Sequence, residues 1–336
     1  MFQNKSILIT GGTGSFGKEF CIFLIKKKIS FRKIILFSRD EFKQSNFSDY
    51  LKSNFPKDYK KIRFVIGDVR DFNRLKYALN DVDIMVHAAA LKQVPVAEYN
   101  PIEFIKTNIL GAQNIIEACF SNNVEKVISL STDKAVAPKN LYGATKLCSD
   151  KIFISANNII GKKKTKFSVV RYGNVNSSRG SVIPLFLHYN RMNKLLPVTD
   201  LKMTRFSITM NDAIELVYNA IKKSFGGEIF IPKIPSYKLS DLVKAINPKK
   251  GYKITGKRFG EKMHEELINF DESEHIYDFG RYYVHFTENL ISQNIRKSIN
   301  KIQKFKVKKK FSYNSKDNTY LTIRDLKKIL LENTLF

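Results

Sequence analysis

Two hydrophobic rhythms divide the chain. Through about the first 175 residues, short β-branched runs at 6–10, 33–37, 62–66, 83–87, 127–131 and 167–171 alternate with longer amphipathic stretches. Three of the latter, 14–27, 101–120 and 142–156, repeat apolar residues at helical spacing. Apolar strands interleaved with helices predict an α/β fold with a doubly wound parallel sheet covered on both faces. Beyond about residue 174 the alternation lapses. Prolines 184, 197, 232 and 235 punctuate short apolar segments, and a helix-like pattern runs over 211–223. A smaller α/β lobe is the expectation, with residues 1–173 and about 205–230 in the first unit and 174–204 and 231–336 in the lobe.

A chain of 336 residues with 43% hydrophobic and 26% charged residues can bury a sizeable core, so disorder is excluded. The net charge of +27 is the unusual value. Only 13 of the 58 basic residues are Arg, and the lysines are scattered, as in 26–28, 162–164 and 308–310. A nucleic-acid binder gathers charge on one face and interleaves aromatics, so no nucleic-acid partner is expected. The lysines read as a solvated surface whose field can steer an anionic substrate. A polyanion-binding protein on the same scaffold is the non-enzyme alternative. Cys21, Cys119 and Cys148 form no CxxC or Cys/His cluster, so reduced thiols and no metal are expected. No run approaches 18 apolar residues and no signal-like segment precedes SILITGGTG, which points to a cytoplasmic protein without a membrane partner.

The first strand ends in TGGTGSFG, with Gly11, Gly14 and Gly17 spaced by three ahead of a helix. Such glycines allow a tight turn and bring backbone N–H groups to a pyrophosphate at the helix N-terminus. This context is that of a Rossmann-type dinucleotide site. The second strand ends ILFSRDEFK. Ser38, Arg39 and Lys43 suit a ribose 2′-phosphate, hence NADP; Asp40 and Glu41 keep NAD open. After the third strand comes GDVRD, in which Asp68 could accept from adenine, or Asp68 or Asp71 could cap a helix. After the fourth, HAAALK offers small residues, Ala88 and Ala89, for close cofactor approach, with Lys92 within reach of substrate.

The segment STDKAVAPKNLYGATK holds the chemistry. Tyr142 and Lys146 share one helix face, a spacing suited to hydroxyl oxidation. A phenol near pKa 10 is a poor base, and a cation one turn away eases its ionisation. Asp133 and Lys134, an acid and an amine at a strand end, exceed what a simple alcohol dehydrogenase needs; on the residues alone a surface pair in a βα loop is an equal reading.

GGTGSFG, HAAA, STDK and YGATK together resemble the extended short-chain dehydrogenase/reductases. More narrowly, AALKQVPVAEYNP, STDKA, LYGATKLCSDK, RYGNV, MTRF and GEKMHE resemble the inverting UDP-N-acetylglucosamine 4,6-dehydratases of pseudaminic acid biosynthesis. That resemblance runs from Ser6 to about Leu330. It implies oxidation at the sugar C4, elimination of water across C5 and C6, and hydride return to C6 with C5 inverted. It implies Lys134 as the base at C5, Asp133 as the acid at O6, and Thr132 bonded to the reacting hydroxyl. Both catalysts must then carry protonation states opposite to their usual ones, and the backbone must turn after Thr132 to aim both at one sugar.

For the cofactor the resemblance implies Thr13, Ser15, Phe16, Phe42, Val69, Thr107 and Asn108 beside the residues already named. For UDP-N-acetylglucosamine it implies Lys92, Asn174, Ser178, Arg258, Asn318, Thr319, Tyr320 and Leu321. Arg179 and Arg205 stand in motif-like contexts, and Arg205 and Glu261 could equally be structural ion-pair partners. Gln93, Ser207 and Phe259 depart from the family's pattern, which leaves substrate preference less secure than reaction type. A homo-oligomer is implied. A C5-retaining dehydratase and a nucleotide-sugar 4-epimerase are the enzyme alternatives.

Overall fold

The computed structural model describes the chain except residues 160, 162, 163, 177, 179, 288–298, 335 and 336; Arg179 and two of the lysines in 162–164 thus lie outside the described residues. Six strands form where the β-branched runs fall: β1 (Lys5–Thr10), β2 (Phe31–Ser38), β3 (Ile62–Ile66), β4 (Ile84–His87), β5 (Lys126–Thr132) and β6 (Lys166–Tyr172). They lie parallel in the order β3-β2-β1-β4-β5-β6. Ile7, Leu8, Ile9, Val86 and Ile128 are fully buried, as strands covered on both faces require. Strand order reverses between β1 and β4, so a crevice opens beyond their carboxyl ends, where α/β sheets bind ligands.

The sheet continues past β6. Strand Glu228–Pro232 adds in parallel, then Tyr282–Phe286 and Ile276–Asp278 add antiparallel, making nine strands. This corrects the division read from the sequence, which put 276–286 in the lobe. These edge strands are short and follow one another without a helix, so they carry no β–α rhythm. Thr204–Ile208 departs from the expectation in the other direction. It pairs with Ser236–Lys238 and Asn174–Val175 in a separate three-stranded sheet.

Helix α1 (Ser15–Lys26) packs on one face of the large sheet beside helix Met210–Lys223, where Tyr218 stacks on Phe2 and meets Phe23 edge-on. A second core gathers Ile183, Phe186, Leu196, Val198, Tyr237, Leu242 and Leu326. It lies among helix Val182–Arg191, helix Leu239–Ile246 and the closing helix Ile323–Thr334. Among the described residues, no helix is long and apolar enough to cross a membrane, and no cluster of His, Cys, Asp or Glu could hold a metal ion. The three cysteines are free.

Candidate active site

The glycine loop forms the floor of the site. Gly11 has φ +64°, and a Cβ there would come within about 3 Å of Ala88 and Ala89. A Cβ on Gly17 would stand 2.5 Å from the Gly11 carbonyl oxygen, so α1 can start this close to the loop only without a side chain. A cavity of about 570 Å³ lies above it. Its wall includes Gly11, Thr13, Gly14, Ser15, Phe16, Gly17, Ser38, Arg39, Asp40, Lys43, Asp68, Val69, Ala88, Ala89, Lys92 and Thr107. Thr132, Lys134, Tyr142, Lys146, Asn174 and Ser178 complete it, so most of the residues picked from the sequence meet in one cleft.

Several do not reach that wall. Phe42 is 74% exposed on helix α2 (Glu41–Asn54), and Glu41 lines a separate surface groove. Asn108 is buried behind the wall in a π-helical segment, Ile105–Leu110. There its side chain bonds both Leu91 backbone groups and Thr145 Oγ1, fixing the chain ahead of Lys92. Arg258 is exposed on a loop, its backbone N–H donating to Glu261. The tail at 318–321 is taken up by the three-stranded sheet. Asn318 donates to Ile234 O and Ser236 Oγ, Thr319 O and Leu321 N bond Ser236, and the Tyr320 ring carries Lys238. Backbone pairing with Ser236 holds this strap.

At the second-strand end Asp40 is occupied. Asp40 caps α2, accepting from Lys43 N and pairing with Lys43 Nζ. Arg39 is more than half exposed beside Asp68. Asp71, not Asp68, caps the following helix. Gln93 and Gly180 face each other across the cleft rim, Ser207 Oγ donates to Asn176 Oδ1, and Phe259 is 85% exposed.

The turn that the chemistry demands follows Thr132. β5 ends there, and Asp133–Ala135 coil into one 3₁₀ turn capped by the Thr132 hydroxyl. Asn140 then caps helix Leu141–Ser155, which carries Tyr142 and Lys146. Gly143 lets this helix press on the turn, since a Cβ there would meet Lys134 O at 2.3 Å. Asp133 is fully buried and sits one hydrogen bond behind the wall. Its Oδ1 accepts from Thr132 Oγ1 at 2.9 Å and Lys134 Nζ at 3.0 Å, and its Oδ2 has no partner among the described residues.

Burial dominates the electrostatics. It pushes Asp133 above the usual carboxylate range, Lys134 opposing and Glu265 adding to the rise. Burial also presses Lys134 towards neutrality, but Asp133 and Glu265 outweigh it and hold the ammonium charged. The amine thus does not rest partly neutral, as base chemistry requires. Tyr142 is pushed up to about 12 by burial, and the cation that eases its ionisation most is Lys134, where the helical spacing pointed to Lys146. Lys146 itself is lowered by burial, against Asp150.

Sequence reasoning missed the shell behind the site. Glu265 lies 3.4 Å from Lys134 Nζ and 3.8 Å from Arg205 Nε. Arg205 pairs with Glu261 at 3.2 Å, the structural role left open for both. Arg171 bridges Glu272 and Asp150 beneath β6. Glu265 closes the GEKMHE motif and Arg171 opens RYGNV, the signals that could have marked them.

Residues 7–287 match the family described as polysaccharide biosynthesis protein. The chain belongs to this family. A Campylobacter jejuni (serotype O:23/36) relative named UDP-N-acetylglucosamine 4,6-dehydratase (inverting) is 52% identical, over 95% of this chain and 94% of its own. A Rickettsia bellii relative named UDP-glucose 4-epimerase is 44% identical over 84% of this chain and 83% of its own. The X-ray structure of Pen from Bacillus thuringiensis superposes with TM-score 0.86 at 35% identity, covering 98% of this chain and 99% of that one.

Proposed function

We propose that the chain is a C5-inverting 4,6-dehydratase of UDP-N-acetylglucosamine working with a nicotinamide dinucleotide, NADP in preference to NAD. One observation carries the reading. Thr132, Lys134 and Tyr142 line one cleft with Asp133 directly behind them, above a glycine cradle. Neither a 4-epimerase nor a plain alcohol dehydrogenase has a use for the acid and amine. The likeness to the Campylobacter dehydratase, across nearly the whole of both chains, supports the same reaction.

The cleft fits a dinucleotide. The first turn of α1, from Ser15, has backbone N–H groups without helical partners at the end that lines the cleft, and the buried Thr107 hydroxyl on the cleft wall has no hydrogen-bond partner among the described residues. When bound, the dinucleotide accepts hydride from C4 and returns it to C6. Tyr142 takes the proton of the C4 hydroxyl, held there by Thr132. Lys134 removes the C5 proton, now acidic beside the ketone. Asp133 supplies a proton to the departing C6 hydroxyl through the Thr132 hydroxyl, and water leaves; the enolate left once C6 has regained hydride takes a solvent-derived proton at C5 from the opposite face. Lys92, Asn174 and Ser178 hold the nucleotide sugar at the rim.

Lys134 must lose its proton before the elimination. A sugar covering its remaining exposed surface, 23% of the side chain, removes water from the ammonium and favours the amine. Purified protein given UDP-N-acetylglucosamine should yield a product lighter by one water in mass spectrometry. Proton NMR in D₂O should show a 6-methyl group and solvent deuterium at inverted C5. A product that keeps its C6 oxygen and differs at C4 overturns the assignment.

NADP is favoured by what has become of Asp40. Asp40 is engaged by Lys43, while Ser38 and Arg39 both line the cleft. Replacement of Arg39 by alanine should weaken NADP binding about 10- to 100-fold, the worth of a charge-assisted hydrogen bond. NAD binding should stay nearly constant; calorimetric titration with both dinucleotides checks this.

A further inference from the structure

We propose that Glu265 sets the proton occupancy of the Asp133–Lys134 pair and thereby the pH range of turnover, an inference that rests on the dehydratase reading above. Glu265 is a positioning residue, acting through its charge. Its side chain is 3% exposed, with Oε1 facing Lys134 Nζ and Arg205 Nε. Its backbone is clamped: Glu265 N donates to Ser315 Oγ, and Ser315 N donates to Glu265 O. Ser315 Oγ in turn lies 2.7 Å from Thr204 Oγ1, so the carboxylate is held on a frame tied into the three-stranded sheet.

Neither cation needs Glu265 to be paired. Lys134 already donates to Asp133 and Asn174, and Arg205 to Glu261, Thr204 O and Met263 O. Glu265 Oε2 is buried with no hydrogen-bond partner among the described residues. What the extra carboxylate supplies is negative charge next to the reacting pair.

The surrounding charges are Lys134, Arg205 and Lys262 with Lys92 beyond, against Asp133, Glu261 and Glu266; Tyr142 and Tyr237 face Lys134 and Asp133. Lys262 is held on Val136 O. Burial pushes Glu265 up, and Lys134, Arg205 and Lys262 overcome it, so it stays ionised. Its charge raises the proton affinity of Asp133, which must be loaded to act as the acid at O6. It raises that of Lys134 as well, delaying deprotonation until the sugar covers the amine.

Turnover needs Asp133 protonated and Lys134 neutral, so the two limbs of the pH profile report this coupled cluster. Removal of the negative charge lowers both proton affinities. Glu265→Gln should therefore move both limbs of kcat/KM towards lower pH, by about one to three units, the effect of a charge at this range. Glu265→Asp should restore the wild-type position. A purely structural role would lower the profile without moving it.

A second measurement needs no substrate: acetylation of Lys134 by acetic anhydride, followed by peptide mass spectrometry across pH. Its midpoint should fall in Glu265→Gln, or in Glu265→Ala should the glutamine variant not fold, and return in Glu265→Asp. Limbs and midpoint unmoved in a folded neutral variant overturn the proposal. A wild-type protein that releases no water overturns the dehydratase reading instead, and the acetylation midpoint then still decides the part played by Glu265.

Discussion

Replacing Lys134 with alanine is expected to lower kcat about 10²- to 10⁴-fold, the range that a general base contributes. UDP-N-acetylglucosamine and the dinucleotide should still bind within a few-fold of wild type. Two effects combine. The variant lacks the amine assigned to the C5 proton, and it lacks the cation that most eases ionisation of Tyr142, whose hydroxyl burial already holds near 12. Both the oxidation and the elimination should slow. Single-turnover measurements resolve the two, through reduced dinucleotide absorbance for the first and water loss for the second. Solvent deuterium should no longer enter C5. A variant as active as wild type removes Lys134 from the mechanism. A variant that oxidises C4 normally, yet fails to eliminate, limits its role to the base.

Arg171→Ala should cost about 3–5 kcal/mol of unfolding free energy, the toll of leaving buried acids without their cation. Arg171 is 1% exposed on β6. Its Nη1 donates to both Glu272 oxygens at 3.0 Å and to Leu267 O at 3.1 Å, and its Nη2 lies 3.9 Å from Asp150. The alanine variant strands these acceptors and opens a space between the large sheet and strand Glu266–Ile268, which follows directly on Glu265. Glu272 is held below its usual range against burial chiefly by Arg171, so loss of the guanidinium lets burial drive its proton affinity up or strands its charge. Glu272→Gln should cost less, since it removes a charge and keeps a hydrogen-bonding side chain. Urea denaturation followed by circular dichroism measures both; a loss below about 1 kcal/mol for Arg171→Ala would show that water replaces the guanidinium.

What was legible was local. Gly11 and Gly17 announce the loop because each excludes a side chain for a reason seen within a few residues: a left-handed φ and a helix starting against its own turn. Tyr142 and Lys146 announce themselves by one helical turn. The turn after Thr132 was required by the chemistry before it was seen, and the chain provides it through a threonine cap. Arg258 and the strap at 318–321 were placed by resemblance; their backbone bonds tie Arg258 to Glu261 and the strap to Ser236.

Sequence alone determined the alternation of strands and helices, the glycine cradle, and the company of an acid and an amine with Tyr142, because each rests on spacing within one element or one turn. Tertiary structure decided the rest. It set Asp133 behind the wall, kept Lys134 charged, drew 276–286 into the large sheet, and brought Glu265 and Arg171 to their partners. The physical reason is that burial and charge act through space. Lys134 and Glu265 belong to elements far apart in the chain, and no local pattern records the low-dielectric setting in which they meet.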